Sequence, residues 1–152
     1  LDSLNGEYYG YLNLDASGKL SEKTLVKNIQ LPIIVDFGEN NYTMTVTGKD
    51  ATLSEDKTVA HISLKLKNEG NSRIKYDMLV YKFNSQTNQM VGESTKPYQN
   101  VYIYPDTEVT INYDLALEEN ADKITVQIIH TMGTDTAGNP ITKQESIDFK
   151  VK

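Results

Sequence analysis

The chain has 152 residues and carries 15 Lys and Arg against 21 Asp and Glu, a formal net charge of −6. It contains no Cys, which excludes disulfides, thiolate metal sites and cysteine nucleophiles. Arg73 is the single arginine, and an acidic chain with so few guanidinium groups is a poor partner for nucleic acid. No apolar run approaches the roughly 20 residues that a membrane-spanning helix requires.

The N-terminal part of the chain alternates polar and apolar residues in the manner of β-strands. Residues 7–14 are predicted to form the first strand, and the polar stretch 15–23 is predicted to end it. Residues 33–37 and 42–47 flank the segment 38–41, whose composition is typical of tight turns. We therefore expect these two segments to pair as a hairpin.

The rest of the chain continues as short strands separated by turn residues. Residues 60–67 place apolar side chains on one parity and His61 on a wet face. Residues 73–83 carry apolar side chains on both parities, which predicts a central strand covered on both sides. The remaining predicted strands are 90–93, 98–104, 107–117, 122–131 and a last strand ending at 147–151, after a hairpin tip within 133–140.

Turn signals recur about every 8–12 residues, which indicates an antiparallel sandwich or barrel. Apolar spacing typical of an amphipathic helix is not sustained anywhere in the chain. We predict a single all-β domain over residues 1–152. Within it, residues 1–41 form an N-terminal strand or hairpin extension and residues 42–152 form the sandwich.

Two segments carry a family resemblance: residues 61–71, which read HISLKLKNEGN, and residues 101–111, which read VYIYPDTEVTI. They resemble the immunoglobulin-like domains of secreted and lipid-anchored proteins of Gram-positive bacteria. In that group a strand commonly ends in an Asn-x-Gly turn, and a later Pro-containing corner opens another strand. The resemblance covers residues 59–131, with Asp106 standing where Gly is frequent. It implies an antiparallel immunoglobulin-like β-sandwich, in a group where many members have no assigned activity.

The N-terminal residues, GEYYG at 6–10 and VDFGENNYT at 35–43, look like the start of small lipoproteins from the same organisms. The sequence begins at Leu1 with neither an initiator Met nor a leader. We expect a mature fragment, with room for a leader and a lipid anchor upstream of Leu1. The resemblance implies an extracellular location, either anchored at the cell surface or secreted.

The two histidines are the natural candidates for acid–base or metal chemistry near neutral pH. His61 lies on the polar parity of its strand and is predicted to be a solvated surface residue. His130 lies on the apolar parity and is predicted to be partly buried and hydrogen-bonded. The His130–Met132 spacing resembles part of the motif of periplasmic copper chaperones, but Glu108 stands where that motif requires Met. No metal site is predicted, and a small-ligand or metal carrier with His130 at the mouth of a pocket is the alternative function.

Catalytic patterns have little support. The sequence has no Gly-x-Ser-x-Gly elbow, and neither histidine is accompanied by the Ser and Asp of a triad. The adjacent carboxylates Glu118 and Glu119 leave a cell-wall glycan hydrolase as a further alternative. Residues 135–139 lack the ligand spacing of a calcium loop and are predicted to form a hairpin tip. We predict a non-enzymatic chain with no catalytic residue and no cofactor.

Tyrosine placement is the feature that indicates binding. Tyr9 and Tyr11 share one parity, and Tyr102 and Tyr104 share a parity with Tyr98, so each set is predicted to form an aromatic strip on a sheet surface. Tyrosine provides contact area at little entropic cost and keeps a wet hydroxyl. Paired tyrosines that only stabilise the sheet are the alternative. The predicted function is a non-catalytic binding domain of a bacterial surface lipoprotein, with an envelope protein, peptide or glycan as its partner.

Overall fold

The computed structural model describes residues 5–20 and 23–151. The chain divides into two compact units, Leu1–Asn40 and Asn41–Lys152. Every strand pair in the described residues is antiparallel, and these residues contain no helix, which confirms the predicted all-β antiparallel class. Accordingly, no helix in the described part of the chain is long and apolar enough to cross a membrane.

The strands of the described residues are β1 (Gly6–Leu20), β2 (Lys23–Phe37), β3 (Met44–Leu53), β4 (Val59–Asn68), β5 (Ile74–Asn84), β6 (Gln89–Met90), β7 (Thr95–Ile103), β8 (Glu108–Ala116), β9 (Lys123–Thr134) and β10 (Pro140–Lys150).

The first unit is a long hairpin in which β1 and β2 pair over their whole length, from Gly6 opposite Phe37 to Leu20 opposite Lys23. Two predictions made from the sequence are therefore wrong. Residues 33–37 pair with β1 and not with residues 42–47, because residues 44–47 belong to β3, which pairs with β4 in the second unit. The polar stretch 15–23 does not end β1 at residue 14, since ladder hydrogen bonds join backbone groups and tolerate polar side chains.

The second unit consists of two sheets that share one hydrophobic core. One sheet has the order β3-β4-β8, and the other has the order β10-β9-β5, with both β6 and β7 pairing with β5. Side chains from both sheets contribute to a single buried cluster, so the two sheets pack face to face as a β-sandwich. The cluster includes Ile62, Leu64, Leu66 and Ile111 from the first sheet, and Ile74, Met78, Val80, Ile124, Val126 and Ile128 from the second.

Strands β4 and β5 show how alternation in the sequence becomes burial. In β4 the even-numbered residues 60–66 are buried and His61 is exposed, as predicted. In β5 the even-numbered residues 74–82 are buried and the odd-numbered ones are half-buried. The predicted central position of β5 is confirmed, because it pairs with β9 on one side and with β7 on the other. The prediction that both faces of β5 are covered is wrong, because the face with the odd-numbered residues is turned away from the core and is only half-buried.

The crossover from β4 to β5 is organised by Asn68, a fully buried amide at the end of β4. Its Nδ2 donates to the carbonyl of Ser72 at 2.8 Å and to that of Ile103 at 2.9 Å, while its Oδ1 accepts from the backbone N–H of Gly70 at 2.9 Å. These bonds join the first sheet to the beginning of β5 and the end of β7. A Cβ on Gly70 would lie 2.0 Å from the carbonyl oxygen of Asn41, so only glycine fits this turn.

A second link between the sheets is the ion pair of Lys82 and Glu118. Lys82 occupies a core-facing position of β5 and is 7% exposed, which a lysine tolerates only with a partner. Its Nζ lies 2.6 Å from Glu118 Oε1, and this hydrogen bond lowers the pKa of the Glu118 carboxyl. The Glu118 carboxylate is therefore committed to a structural contact.

Substituting Asn68 by Ala should lower the free energy of unfolding by about 2–4 kcal/mol, because three buried backbone groups lose their partner. Asn112→Ala is the matched control, since Asn112 is an exposed residue of β8, and it should change stability by no more than about 0.5 kcal/mol. Urea unfolding of both variants measures the difference. Equal stability of the two variants would contradict the role given to Asn68.

Candidate binding site

Tyr9 and Tyr11 lie on one face of the hairpin, as their shared parity predicts. Tyr9 is opposite Ile34 and Tyr11 is opposite Pro32. The two tyrosines are 42% and 71% exposed. They are surface residues of the first unit.

The predicted face shared by Tyr98 and Tyr102 does not exist. Tyr102 is opposite Lys75, whereas Tyr98 is opposite Met78, whose side chain lies in the core. The register of β7 shifts by one residue between these pairs, and Asn100 adopts a positive φ of 53° there. One extra residue reverses the side-chain alternation, so Tyr98 turns inward while Tyr102 stays outside.

These tyrosines have structural contacts. The Tyr98 ring packs against the core, and its hydroxyl donates to the carbonyl of Asn112 at 3.3 Å, which joins β7 to β8 in the other sheet. The guanidinium of Arg73 lies 4.9 Å from the centroid of the Tyr102 ring. Tyr104, which follows β7, is 49% exposed.

The outer face of β5 and β9 carries an open groove that the sequence analysis did not identify. It has a volume of about 350 Å³. Tyr81 and Phe83 form its aromatic side, with ring centroids 6.4 Å apart and ring planes inclined by 32°. The apolar residues on the second parity of β5 are the sequence signal for this groove, but the same pattern also predicts a strand buried on both faces.

Polar side chains complete this groove. In the ladder between β5 and β9, Thr125 lies opposite Tyr81 and Lys123 lies opposite Phe83. The amides of Gln127 and Asn88 line the same groove. Neither amide has a hydrogen-bond partner within the described residues, so both present donors and acceptors to a ligand.

Asp148 of β10 positions the polar side of the groove. Its carboxylate accepts a hydrogen bond from Thr125 Oγ1 at 2.6 Å and lies 2.8 Å from Lys123 Nζ. Hydrogen bonding by Lys123 lowers the pKa of Asp148, so this carboxylate is ionised at neutral pH and compensates the lysine charge. The groove consequently combines aromatic surface, amides and a hydroxyl with a lysine whose charge is neutralised.

The two histidines lie in different environments, one exposed and one buried. His61 is a surface residue, as predicted, and its Nδ1 lies 2.7 Å from Asp114 Oδ1. His130 is 1% exposed, and its two ring nitrogens have no hydrogen-bond partner in the described structure. The prediction of a partly buried, hydrogen-bonded His130 is therefore wrong, because its side chain lies on the buried parity of β9 with Ile124, Val126 and Ile128. A residue this buried also does not stand at the mouth of a pocket.

His130 does not form a metal site with Met132. The imidazole is buried, whereas Met132 is 41% exposed beside a register shift between β9 and β10. Within residues 5–20 and 23–151, no group of three or more His, Cys, Asp or Glu side chains could hold a metal ion. Residues 135–139 form the predicted hairpin tip, where the Asp135 carboxylate accepts from the backbone N–H groups of Ala137 and Asn139.

No protein-family model matches the chain. No curated protein is similar to it in sequence. Membership of an immunoglobulin-like family stays a prediction, and function must be inferred from the geometry of the residues themselves.

The surroundings of His130 predict a pH-dependent stability. Burial lowers its pKa from the ordinary value of 6.5, and the nearby Glu145, whose Oε1 lies 3.6 Å from Nε2, opposes this only in part. Its cross-strand neighbours are Lys143 and Tyr76, and burial raises the pKa of Tyr76 to about 12. His130 is therefore neutral in the folded protein at pH 7.

Below about pH 6.5 the unfolded chain binds a proton at His130 that the folded chain does not bind. The free energy of unfolding should therefore decrease as the pH falls, by up to about 1.4 kcal/mol per pH unit from this group. His130→Leu should remove that component. Urea unfolding of both proteins between pH 7.5 and 5.5 tests this, and parallel pH profiles would contradict a buried neutral imidazole.

Proposed function

We propose that this chain is a non-catalytic binding domain that holds a glycan of the bacterial cell envelope in the groove on the outer face of β5 and β9. The observation that supports it is the pairing of the Tyr81 and Phe83 rings with unpartnered amides in one open depression. Binding sites combine apolar surface with a few polar groups that fix orientation. This groove has both.

The side chains suit a sugar ring. The C–H face of a pyranose carries partial positive charge, which fits the negative face of an aromatic ring. Its hydroxyls both donate and accept, as the amides of Asn88 and Gln127 do. Because Asp148 compensates the charge of Lys123, a neutral glycan fits better than a strongly acidic one.

A binding function is favoured over hydrolysis by the composition of the groove. Glycoside hydrolysis uses two carboxyl groups that flank the scissile bond. The groove is lined by Tyr81, Phe83, Asn88, Lys123, Thr125 and Gln127, and no carboxylate is among them. Glu118, the candidate acid from the sequence, is engaged with Lys82.

The proposed location is the outer surface of a Gram-positive bacterium, where the chain is either lipid-anchored or secreted. The resemblance of residues 59–131 to immunoglobulin-like domains supports this proposal. The strand order agrees with the fold that this resemblance implies, since β3-β4-β8 and β10-β9-β5 correspond to the A-B-E and G-F-C neighbours of an immunoglobulin fold. The envelope glycans of such a cell are then within reach of the groove.

Replacing both Tyr81 and Phe83 by Ser should reduce retention on purified Gram-positive cell-wall polysaccharide at least about tenfold, because the aromatic contact surface is lost. The measurement is a pull-down followed by isothermal titration with soluble fragments of the same polysaccharide. The far-UV circular dichroism of the variant verifies that the sheet is intact.

Replacing both Tyr102 and Tyr104 by Ser is the matched control, since it removes two exposed rings from another part of the same unit. This variant should be retained like the wild type. Loss of retention in the control alone would move the site to the tyrosines predicted from the sequence. A wild-type chain that is not retained on polysaccharide but is captured on envelope peptides would contradict a glycan ligand.

A further inference from the structure

Between residues 6–14 of β1 and 29–37 of β2, one face of the hairpin is continuously apolar. The register places alternate cross-strand pairs on the same side of this two-stranded sheet. We call this side the apolar face; its large residues are Tyr8, Leu12, Leu14, Ile29, Leu31, Ile33, Val35 and Phe37. None of these side chains is charged.

The apolar face is open to solvent. Seven of its eight large side chains are between 40% and 45% exposed, including Leu12 and Ile33. A two-stranded hairpin is marginally stable in water unless its apolar face is covered. Contiguous exposed apolar surface of this kind marks an interaction site.

The opposite face of the hairpin has a different character. Glu7 and Asp36 lie directly opposite each other there, an unfavourable pairing of like charges, and the Glu7 carboxylate accepts a hydrogen bond from the Tyr9 hydroxyl. Asn13 and Gln30 form another polar pair further along. Tyr9, Tyr11, Pro32 and Ile34 lie between these polar pairs, so the opposite face is mixed. The apolar face carries no charged residue over the same span, which makes it the better surface for an apolar contact.

We propose that the apolar face packs against the same face of a second copy of this chain. A two-fold interface brings identical surfaces together, and an uncharged face meets its copy without electrostatic repulsion. Eight large side chains, each losing on the order of 60–80 Å², bury about 1,000 Å² over two copies, which reaches the lower bound for a specific interface.

Two local features fit face-to-face packing. Gly10 lies on the apolar face opposite Ile33, and a Cβ at Gly10 would meet no atom within 4 Å. This leaves a recess that can accept a projecting side chain of the second copy. Pro32 lies in β2, and proline on an edge strand discourages edge-to-edge pairing, so the face is the better contact surface.

The test compares two lysine substitutions at neighbouring positions of β2. Ile33→Lys places a charge on the apolar face, whereas Ile34→Lys places the same charge on the opposite face, beside Tyr9. Sedimentation equilibrium of the full chain should show a dimer for the wild type. The dissociation constant of the dimer should rise at least about 100-fold for I33K and less than about threefold for I34K.

A wild-type chain that is monomeric at all concentrations up to about 100 μM would overturn the proposal, as would equal effects of the two substitutions. Flotation with phosphatidylcholine vesicles is measured in parallel. If the wild-type chain is a monomer that floats with the vesicles, and I33K abolishes the flotation, the apolar face binds a lipid surface. That result would overturn the proposal that a second copy covers it. Glycan retention is measured on both variants and should equal that of the wild type, which keeps this test separate from that of the groove.

Discussion

The second unit depends on the hydrogen bonds of one buried amide. Asn68 ends β4 in the first sheet and bonds to backbone carbonyls next to β5 and within β7 in the second sheet. The chain crosses between the sheets immediately after it, through a turn that only Gly70 fits. This junction determines where β5 begins, and therefore which of its residues turn to the core and which turn to the groove.

Strands with one solvent-exposed face could be predicted from the sequence. In β4 the even-numbered residues 60–66 are buried, as their parity predicts. The groove could not, because it depends on the register between β5 and β9, which are separated by several strands. The face of Tyr98 was also beyond prediction, since a one-residue bulge at Asn100 reverses the alternation without a clear signal in the sequence. The partner of residues 33–37 was predicted wrongly for another reason: residues 38–41 have the composition of a tight turn between paired strands, but β2 pairs with β1.

The two proposed surfaces are both made of apolar residues that lie outside the sandwich core. In the groove, Tyr81 and Phe83 are combined with amides and a hydroxyl, which suits a hydrated ligand. On the hairpin, residues such as Leu31 and Val35 have no polar partner on their face, which suits an equally apolar surface.

An amide and side-chain NMR titration of the ¹⁵N,¹³C-labelled chain with soluble cell-wall polysaccharide fragments locates the ligand without any substitution. Glycan binding in the groove predicts shift changes concentrated at Tyr81, Phe83 and Gln127, with the Asn88 amide among them and the Tyr102 ring unaffected. Saturating changes confined to Tyr102 and Tyr104, or to the hairpin, would contradict the groove as the binding site. The absence of any saturable change at millimolar fragment concentration would contradict a glycan ligand altogether.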